Sequence, residues 1–453
     1  MSAHPRRSRP IWFPRLTLRG GIFLAGGGAL FLNALVINRR DLLFVACLLI
    51  AVPAVALFYV TLRPAKLHVT RSFRPPVVPA GGETVVLLQV RNLSTRPLYG
   101  ARWRDTASNG IAVPSSSLLP MLDRFDGGPG GAGDTAVVEY TLRPKLRGVY
   151  DVGPLVLGRH DPFGLAYSER PVGEPHDLIV TPRVTALSDR RSAVTSGDGS
   201  VHEILRHVNP NSDELIAREY RPGDSLRRVN WPATARHGEI MVRQEEQRST
   251  PEAVIILDTT LSGRPAYSPT QAGSRMRRHD SAFELAIETV ASVGAHLLDA
   301  GFRLNILELG PSQLAPNSDR KRGGLHGDGP STYRTSGGDR LLLEALASVV
   351  PIPRADPDAG SRGAPRAAVR LSSGPAPTFA VLVDIDALDV RDLAAARSAA
   401  DPAVAFVLET MNRATIGELE EAGWNCVPLS NAREMPDAWS RVQRERSATN
   451  DVA

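Results

Sequence analysis

Two apolar runs stand at the front of the chain: residues 21–37, interrupted only by Asn33, and residues 42–62, interrupted only by Thr61. At 1.5 Å per residue they measure about 25 and about 31 Å, against a hydrocarbon core of roughly 30 Å. Only Asn38, Arg39, Arg40 and Asp41 separate them, so the pattern predicts a tight antiparallel pair of transmembrane helices. Gly26, Gly27 and Gly28 in the first run lower its helicity but allow close helix packing. A signal peptide is the competing reading of that run, but no small-residue cleavage pattern follows it.

Beyond residue 62 the texture changes twice. Residues 83–90, 135–142, 148–157 and 177–181 are short runs rich in Val, Leu and Tyr, punctuated by Gly, Pro and Asn. About seven strands at such spacing, without a helical period, predict a β-sandwich over 63–185. The glycine cluster at 127–133 reads as a hairpin loop, because it does not link a strand to a helix. From residue 251 to 430 strands and helices alternate. Residues 253–257 are a continuous apolar run ending at Asp258, as in a buried parallel strand. Helix 281–300 carries apolar residues at 283, 286, 287, 290, 293, 297 and 298, with Ser281 and Glu284 as a capping box and Gly301 as its stop. Strands at 303–309, 379–383, 403–408 and 425–429, with helices near 339–349, 389–399 and 414–422, predict a largely parallel sheet covered on both faces. Polar stretches at 263–280, 311–338 and 352–377 read as additions outside the core, and 431–453 as a mobile tail.

Charge sets the orientation of the hairpin. Arg6, Arg7, Arg9, Arg15 and Arg19 precede the first run, and Arg63, Lys66, Arg71 and Arg74 follow the second. Only Arg39 and Arg40 lie between the runs. The positive-inside rule therefore puts the basic segment 1–20 and everything after residue 62 in the cytoplasm of a two-span protein of the cell membrane.

Composition then excludes several functions. Only Lys66, Lys145 and Lys321 are lysines and none is followed by Ser or Thr, so there is no P-loop. Two cysteines, Cys47 and Cys426, exclude a disulfide framework and a Cys-rich zinc module. No basic stripe interleaves with aromatics, which argues against nucleic acid. No H-E-x-x-H, G-x-S-x-G or C-x-x-C occurs. The chain reads as non-enzymatic.

The region 186–250 that links the two soluble parts holds the most distinctive string: Arg218, Glu219, Tyr220, Pro222, Gly223, Asp224, Arg227, Trp231 and Arg236. Pro222-Gly223-Asp224 is turn chemistry. The alternating charges suit bidentate pairs, and Tyr220 and Trp231 are large apolar bodies with one polar handle each. Two roles stay open: a clasp between neighbouring domains, or an exposed surface for a partner. This string resembles the signature of the bacterial family called domain of unknown function 58. The segments Asp161-Pro162-Phe163-Gly164-Leu165 and Ala282-Phe283-Glu284-Leu285-Ala286 are similar to that family as well. The resemblance implies an N-terminal membrane hairpin, a β-rich region and a von Willebrand factor A-like, Rossmann-like α/β domain. It also implies partnership with a MoxR-type AAA+ ATPase.

A von Willebrand A domain can hold Mg²⁺ through a D-x-S-x-S loop at the end of its first strand, and here the loop is Asp258-Thr259-Thr260-Leu261-Ser262. One carboxylate and two hydroxyls are hard oxygen ligands. Asp384 or Asp386 would supply a further carboxylate. The plainer reading is that Asp258 caps the strand-end turn. The expected protein is a membrane-anchored adaptor. The alternatives are an envelope protein with its domains outside the cytoplasm and a Mg²⁺-dependent hydrolase centred on Asp258.

Overall fold

A computed structural model describes residues 14–62, 65–108, 111–125, 134–187, 217–219, 231–243, 251–261, 278–314, 331–334, 336–353 and 375–450. The chain divides into two compact units, Met1–Val180 and Thr181–Ala453.

In the first unit, α1 (Leu18–Ile37) and α2 (Arg40–Leu62) are both long and apolar enough to cross a membrane. The Thr17 hydroxyl accepts the Gly20 N–H at the start of α1, and Asn38, in the left-handed region at φ 53°, ends it. Mostly small residues are buried at a spacing of seven on both helices: Gly20, Gly27 and Ala34 on α1, with Gly20 against Leu165 of the β-body and Gly27 against Leu49 and Ile50 of α2, and Ala46, Pro53 and Val60 on α2. A side chain on Gly27 would lie 3.0 Å from the Leu49 Cβ, whereas Gly26 and Gly28 face open space. Only one of the three consecutive glycines therefore serves packing, because neighbouring residues lie 100° apart around a helix.

The β-body has eleven strands among the described residues, counting β1 from the N-terminal segment, rather than about seven. One sheet has the order β2 (Leu67–Arg74), β4 (Thr84–Asn92), β7 (Thr135–Leu142). The facing strands form two sheets. The first runs β1 (Arg15–Leu16), β10 (Ala166–Val172), β9 (Leu155–His160), β5 (Arg102–Arg104), β6 (Ser117–Leu118). The second runs β3 (Val77–Pro79), β11 (His176–Thr181), β8 (Gly148–Val152). Val86, Leu88 and Val90 alternate inward from β4. Leu88 and Val90 pack with Trp103, Leu155 and Leu157, and Val86 packs with Tyr150, Val152 and Leu178. The apolar run 148–157 is thus two strands in different sheets. Gly153 at φ 108° and Pro154, which lacks an N–H, break the ladder between them.

A buried charge cluster joins the layers. Arg71 on β2 donates from Nε and Nη2 to both oxygens of Asp105, at 2.9 and 2.8 Å, and the Tyr140 hydroxyl donates to the same carboxylate at 2.6 Å. A side chain on Gly153 would run into the Arg71 guanidinium at 2.8 Å.

The second unit is built on one six-stranded sheet. Its order is β17 (Ser331–Tyr333), β16 (Arg303–Leu309), β14 (Glu252–Asp258), β19 (Ala376–Leu382), β20 (Ala400–Leu408), β21 (Asn425–Leu429). All are parallel except the edge strand β17, and outside this sheet β15 (Thr260–Leu261) pairs in parallel with β18 (Ile352–Pro353). Alternate residues of β14 and β19 enter opposite cores. Ile255, Leu257, Phe379 and Val381 meet α4 (Arg278–Asp299), α5 (Gly338–Ser348) and α8 (Met435–Asn450). Ile256, Ala380 and Leu382 meet α6 (Ala387–Ala396) and α7 (Arg413–Glu421). Helices therefore cover both faces, as alternation predicts.

Three expectations change. α4 begins at Arg278, so Ser281 and Glu284 lie inside the helix rather than forming its N-terminal box. Asp280 occupies the first turn instead, where a negative charge suits the helix dipole. The tail after 431 contains a helix, α8. Its Met435, Ala438, Trp439 and Val442 recur at helical spacing and are buried, with the Trp439 ring 5.4 Å from Phe379. Finally, the polar stretch 311–338 contributes Leu314 and Tyr333 to the core.

Candidate functional site

Numbered along the chain, the five parallel strands run 2-1-3-4-5 across the sheet. The connections from β14 and β19 depart to opposite faces, which opens a crevice beyond their C-terminal ends, where sheets of this order bind ligands. Asp258 sits there and is fully buried. Its Oδ1 accepts the Thr260 N–H at 3.1 Å and the Thr260 hydroxyl at 3.3 Å. Its Oδ2 accepts the N–H groups of Val383 at 3.1 Å and Asp384 at 2.8 Å. Both oxygens thus serve the backbone of two strand ends. The same edge is laced further. Thr259 donates its hydroxyl to the Leu309 carbonyl, its own carbonyl accepts the Ile352 N–H at 2.8 Å, and Thr410 donates to the Val383 carbonyl at 2.6 Å. Gly310 leaves no room for a side chain, since a Cβ there would meet the Thr260 methyl at 2.7 Å.

Asp258, Thr260 and Asp384 therefore come together, as the D-x-T-x-S loop suggests, but as a hydrogen-bonded brace. Asp386 has a different task. Its Oδ1 accepts the N–H groups of Leu388 and Asp389, and the Asp389 carboxylate accepts the Asp386 N–H, a reciprocal cap on α6. Ser262 lies outside the described residues. Among the described residues, no group of three or more His, Cys, Asp or Glu is placed to hold a metal ion.

Glu308, one residue from the end of the neighbouring strand, escaped the sequence reading. Its Oε2 accepts from the Ser312 hydroxyl and from the N–H groups of Gln313 and Leu314, at 3.1, 2.7 and 3.0 Å. Burial, with the Glu308 charge added, pushes the Tyr333 hydroxyl up to about 12. A carboxylate two residues before a Gly-Pro turn was the available signal.

The described parts of the linking region, 217–219 and 231–243, include a small ribbon. β12 (Ala217–Glu219) pairs antiparallel with β13 (Met241–Arg243), with Arg218 opposite Val242 and Glu219 opposite Met241. Between them runs α3 (Trp231–His237), tied to β13 by the Met241 N–H donating to the Thr234 hydroxyl at 3.0 Å. The Trp231 side chain is exposed, at 69% of its full area, and Arg236 and Ile240 are exposed on the same segment. Tyr220, Gly223, Asp224 and Arg227 lie outside the described residues.

Residues 216–316 match the model of the family described as "Protein of unknown function DUF58". The match runs from the ribbon through β14 and α4 to the turn after β16, so it takes in Trp231 and Asp258. No curated protein matches the chain. Among solved structures, the crystal structure of the CARDB domain of PF1109 from Pyrococcus furiosus, in complex with di-metal ions, is 15% identical. It covers 24% of this chain and 88% of that one, with a TM-score of 0.17. The solution structure of the same domain gives the same identity and TM-score and is covered to 94%. At that TM-score the likeness carries no argument about fold or metal.

Proposed function

We propose that this chain, a member of the DUF58 family, is a membrane-anchored interaction protein whose second unit is a von Willebrand A-type domain. The observation that carries the reading is the exposed Trp231 on the ribbon. A large aromatic side chain left in water is the type of residue that anchors protein interfaces. The partner we assign is a cytosolic AAA+ ATPase of the MoxR type, by the family resemblance.

Anchoring rests on the two apolar helices and their bonds to the β-body. The Thr17 N–H donates to the Leu165 carbonyl at 2.9 Å, and its hydroxyl donates to the Gly164 carbonyl at 2.7 Å. Asp161 holds that turn by accepting the N–H groups of Phe163 and Ala166. The von Willebrand A assignment rests on the strand order and the Asp258 loop. A scaffold rather than a catalyst is supported by Asp258, both of whose carboxyl oxygens accept backbone N–H groups.

The test is purification from native membranes in mild detergent, with and without ATP and Mg²⁺. The expected result is co-purification of an AAA+ ATPase with wild type, weakened roughly 30-fold by Trp231→Ala, the effect of losing an interface anchor. Isolation of the protein alone in every condition rejects the adaptor reading. A reporter fused after residue 453 that is active only outside the cytoplasm rejects the orientation.

A further inference from the structure

A cavity of about 360 Å³ opens between the last turn of α2 and strands β9 and β10, within the range of roughly 300–1,000 Å³ typical of ligand sites. Its lining is divided. Val60 of α2, Leu157 and Val172 are apolar, while Arg159, Ser168 and Arg170 supply the polar groups. Strand register explains the grouping. Ser168 faces Arg159 and Arg170 faces Leu157 across the β9–β10 ladder, so all four point to one side of it. Glu169 falls on the other side, where it accepts from Arg104 at 3.1 Å. The lining therefore carries two cations and no carboxylate.

Ser168 is only 4% exposed, and its hydroxyl has no hydrogen-bond partner among the described residues. A buried hydroxyl is normally paired, so one facing a cavity beside two guanidinium groups points to a missing acceptor. Arg170 spends one donor on the Thr61 carbonyl, at 2.7 Å, which also fixes the guanidinium at the end of α2.

We infer that this cavity binds the headgroup phosphate of an anionic membrane phospholipid. Its position selects a lipid over a soluble anion. The cavity adjoins the last turn of a helix about 34 Å long, which puts it at headgroup depth if α2 spans the bilayer. Arginine forks suit phosphate oxygens, and Ser168 adds a third donor. This inference rests on the membrane-anchor reading above.

The test is native mass spectrometry of the full-length protein in detergent micelles, titrated with phosphatidylglycerol, phosphatidylcholine or inorganic phosphate. The expected result is one retained phosphatidylglycerol, held at least about tenfold more tightly than phosphatidylcholine. Ser168→Ala and Arg159→Gln should each weaken it roughly tenfold, the effect of losing a hydrogen bond to a charged group. Both variants should keep the wild-type thermal midpoint. Equal retention of the two lipids, or unchanged retention in both variants, overturns the site. Displacement of the lipid by inorganic phosphate overturns the choice of lipid. A chain that fractionates into buffer without detergent defeats the anchor reading first, whereas one that needs detergent yet holds no phosphatidylglycerol defeats this inference alone.

Discussion

Asp258 and Asp384 are 126 residues apart, and the carboxylate of the first accepts the backbone N–H of the second at 2.8 Å. The bond spans the point where the sheet connections diverge. There, no further strand residue is available to take up the amides of Val383 and Asp384. A carboxylate at the end of β14 supplies the acceptor that the ladder cannot. This gives Asp258 a structural reason to exist that needs no metal.

Replacing Asp258 with Ala should orphan both amides. Each buried donor left without an acceptor costs about 1–3 kcal/mol, so a loss of about 3 kcal/mol is expected. The loss should be the same in Mg²⁺ and in EDTA, read as the thermal midpoint of the detergent-purified protein. A Mg²⁺-dependent stabilisation of wild type that disappears in the variant would assign a cation to this loop.

The Arg71–Asp105 pair has both side chains fully buried. Removing one partner strands the other charge, so Asp105→Ala should destabilise the β-body by about 3–5 kcal/mol. Tyr140→Phe deletes one hydrogen bond to the same carboxylate and should cost about 1–2 kcal/mol. Chemical denaturation of the two variants beside wild type checks the ranking; equal losses would mean that the cluster does not act as described.

Neighbouring glycines of α1 should behave differently. A Cβ on Gly20 would collide with the Leu165 carbonyl, which is held by the Thr17 N–H, and one on Gly27 would press on Leu49 and Ile50. Gly20→Ala should loosen α1 from the β-body and Gly27→Val should loosen the hairpin, each seen as faster proteolysis of detergent-solubilised protein. Gly26→Ala meets nothing and should stabilise α1 by up to about 1 kcal/mol in helix propensity. Indistinguishable proteolysis of the three variants would refute these contacts.

Tyr333 predicts an alkaline limit to stability. Its hydroxyl, pushed up to about 12 by burial and then by the Glu308 charge, binds its proton more tightly in the folded chain than in the unfolded one. The folded state is therefore favoured fully below about pH 10, and that contribution is lost as pH rises from about 10 to 12. Burial also raises Tyr140 and Tyr167, so the difference between wild type and Tyr333→Phe isolates this group. Denaturation midpoints across that interval should fall more steeply for wild type; parallel curves would exclude the coupling.

Local periodicity carried a good part of this architecture into the linear chain. The apolar runs marked both long helices. Strands at 135–142, 303–309 and 425–429 were readable to the residue, because side chains on a buried strand answer to their immediate neighbours. The D-T-T turn was likewise visible as a strand end with oxygen ligands, and the Arg-Glu-Tyr to Trp string as the chain's most distinctive stretch.

Partnership across long separations left no local trace. Nothing near Thr17 announces that it will bond a carbonyl 147 residues away, and nothing near Arg71 announces Asp105. Which of three successive glycines faces α2 depends on the rotation of one helix against the other. The polar tail became a helix because Trp439 found a hole beside Phe379 and His296 in a core assembled from distant segments. Whether Asp258 holds a cation or two amides likewise depends on where β19 ends beside it. Hydrogen bonds and close packing act over a few ångströms of space, and only the folded chain brings such partners within that reach.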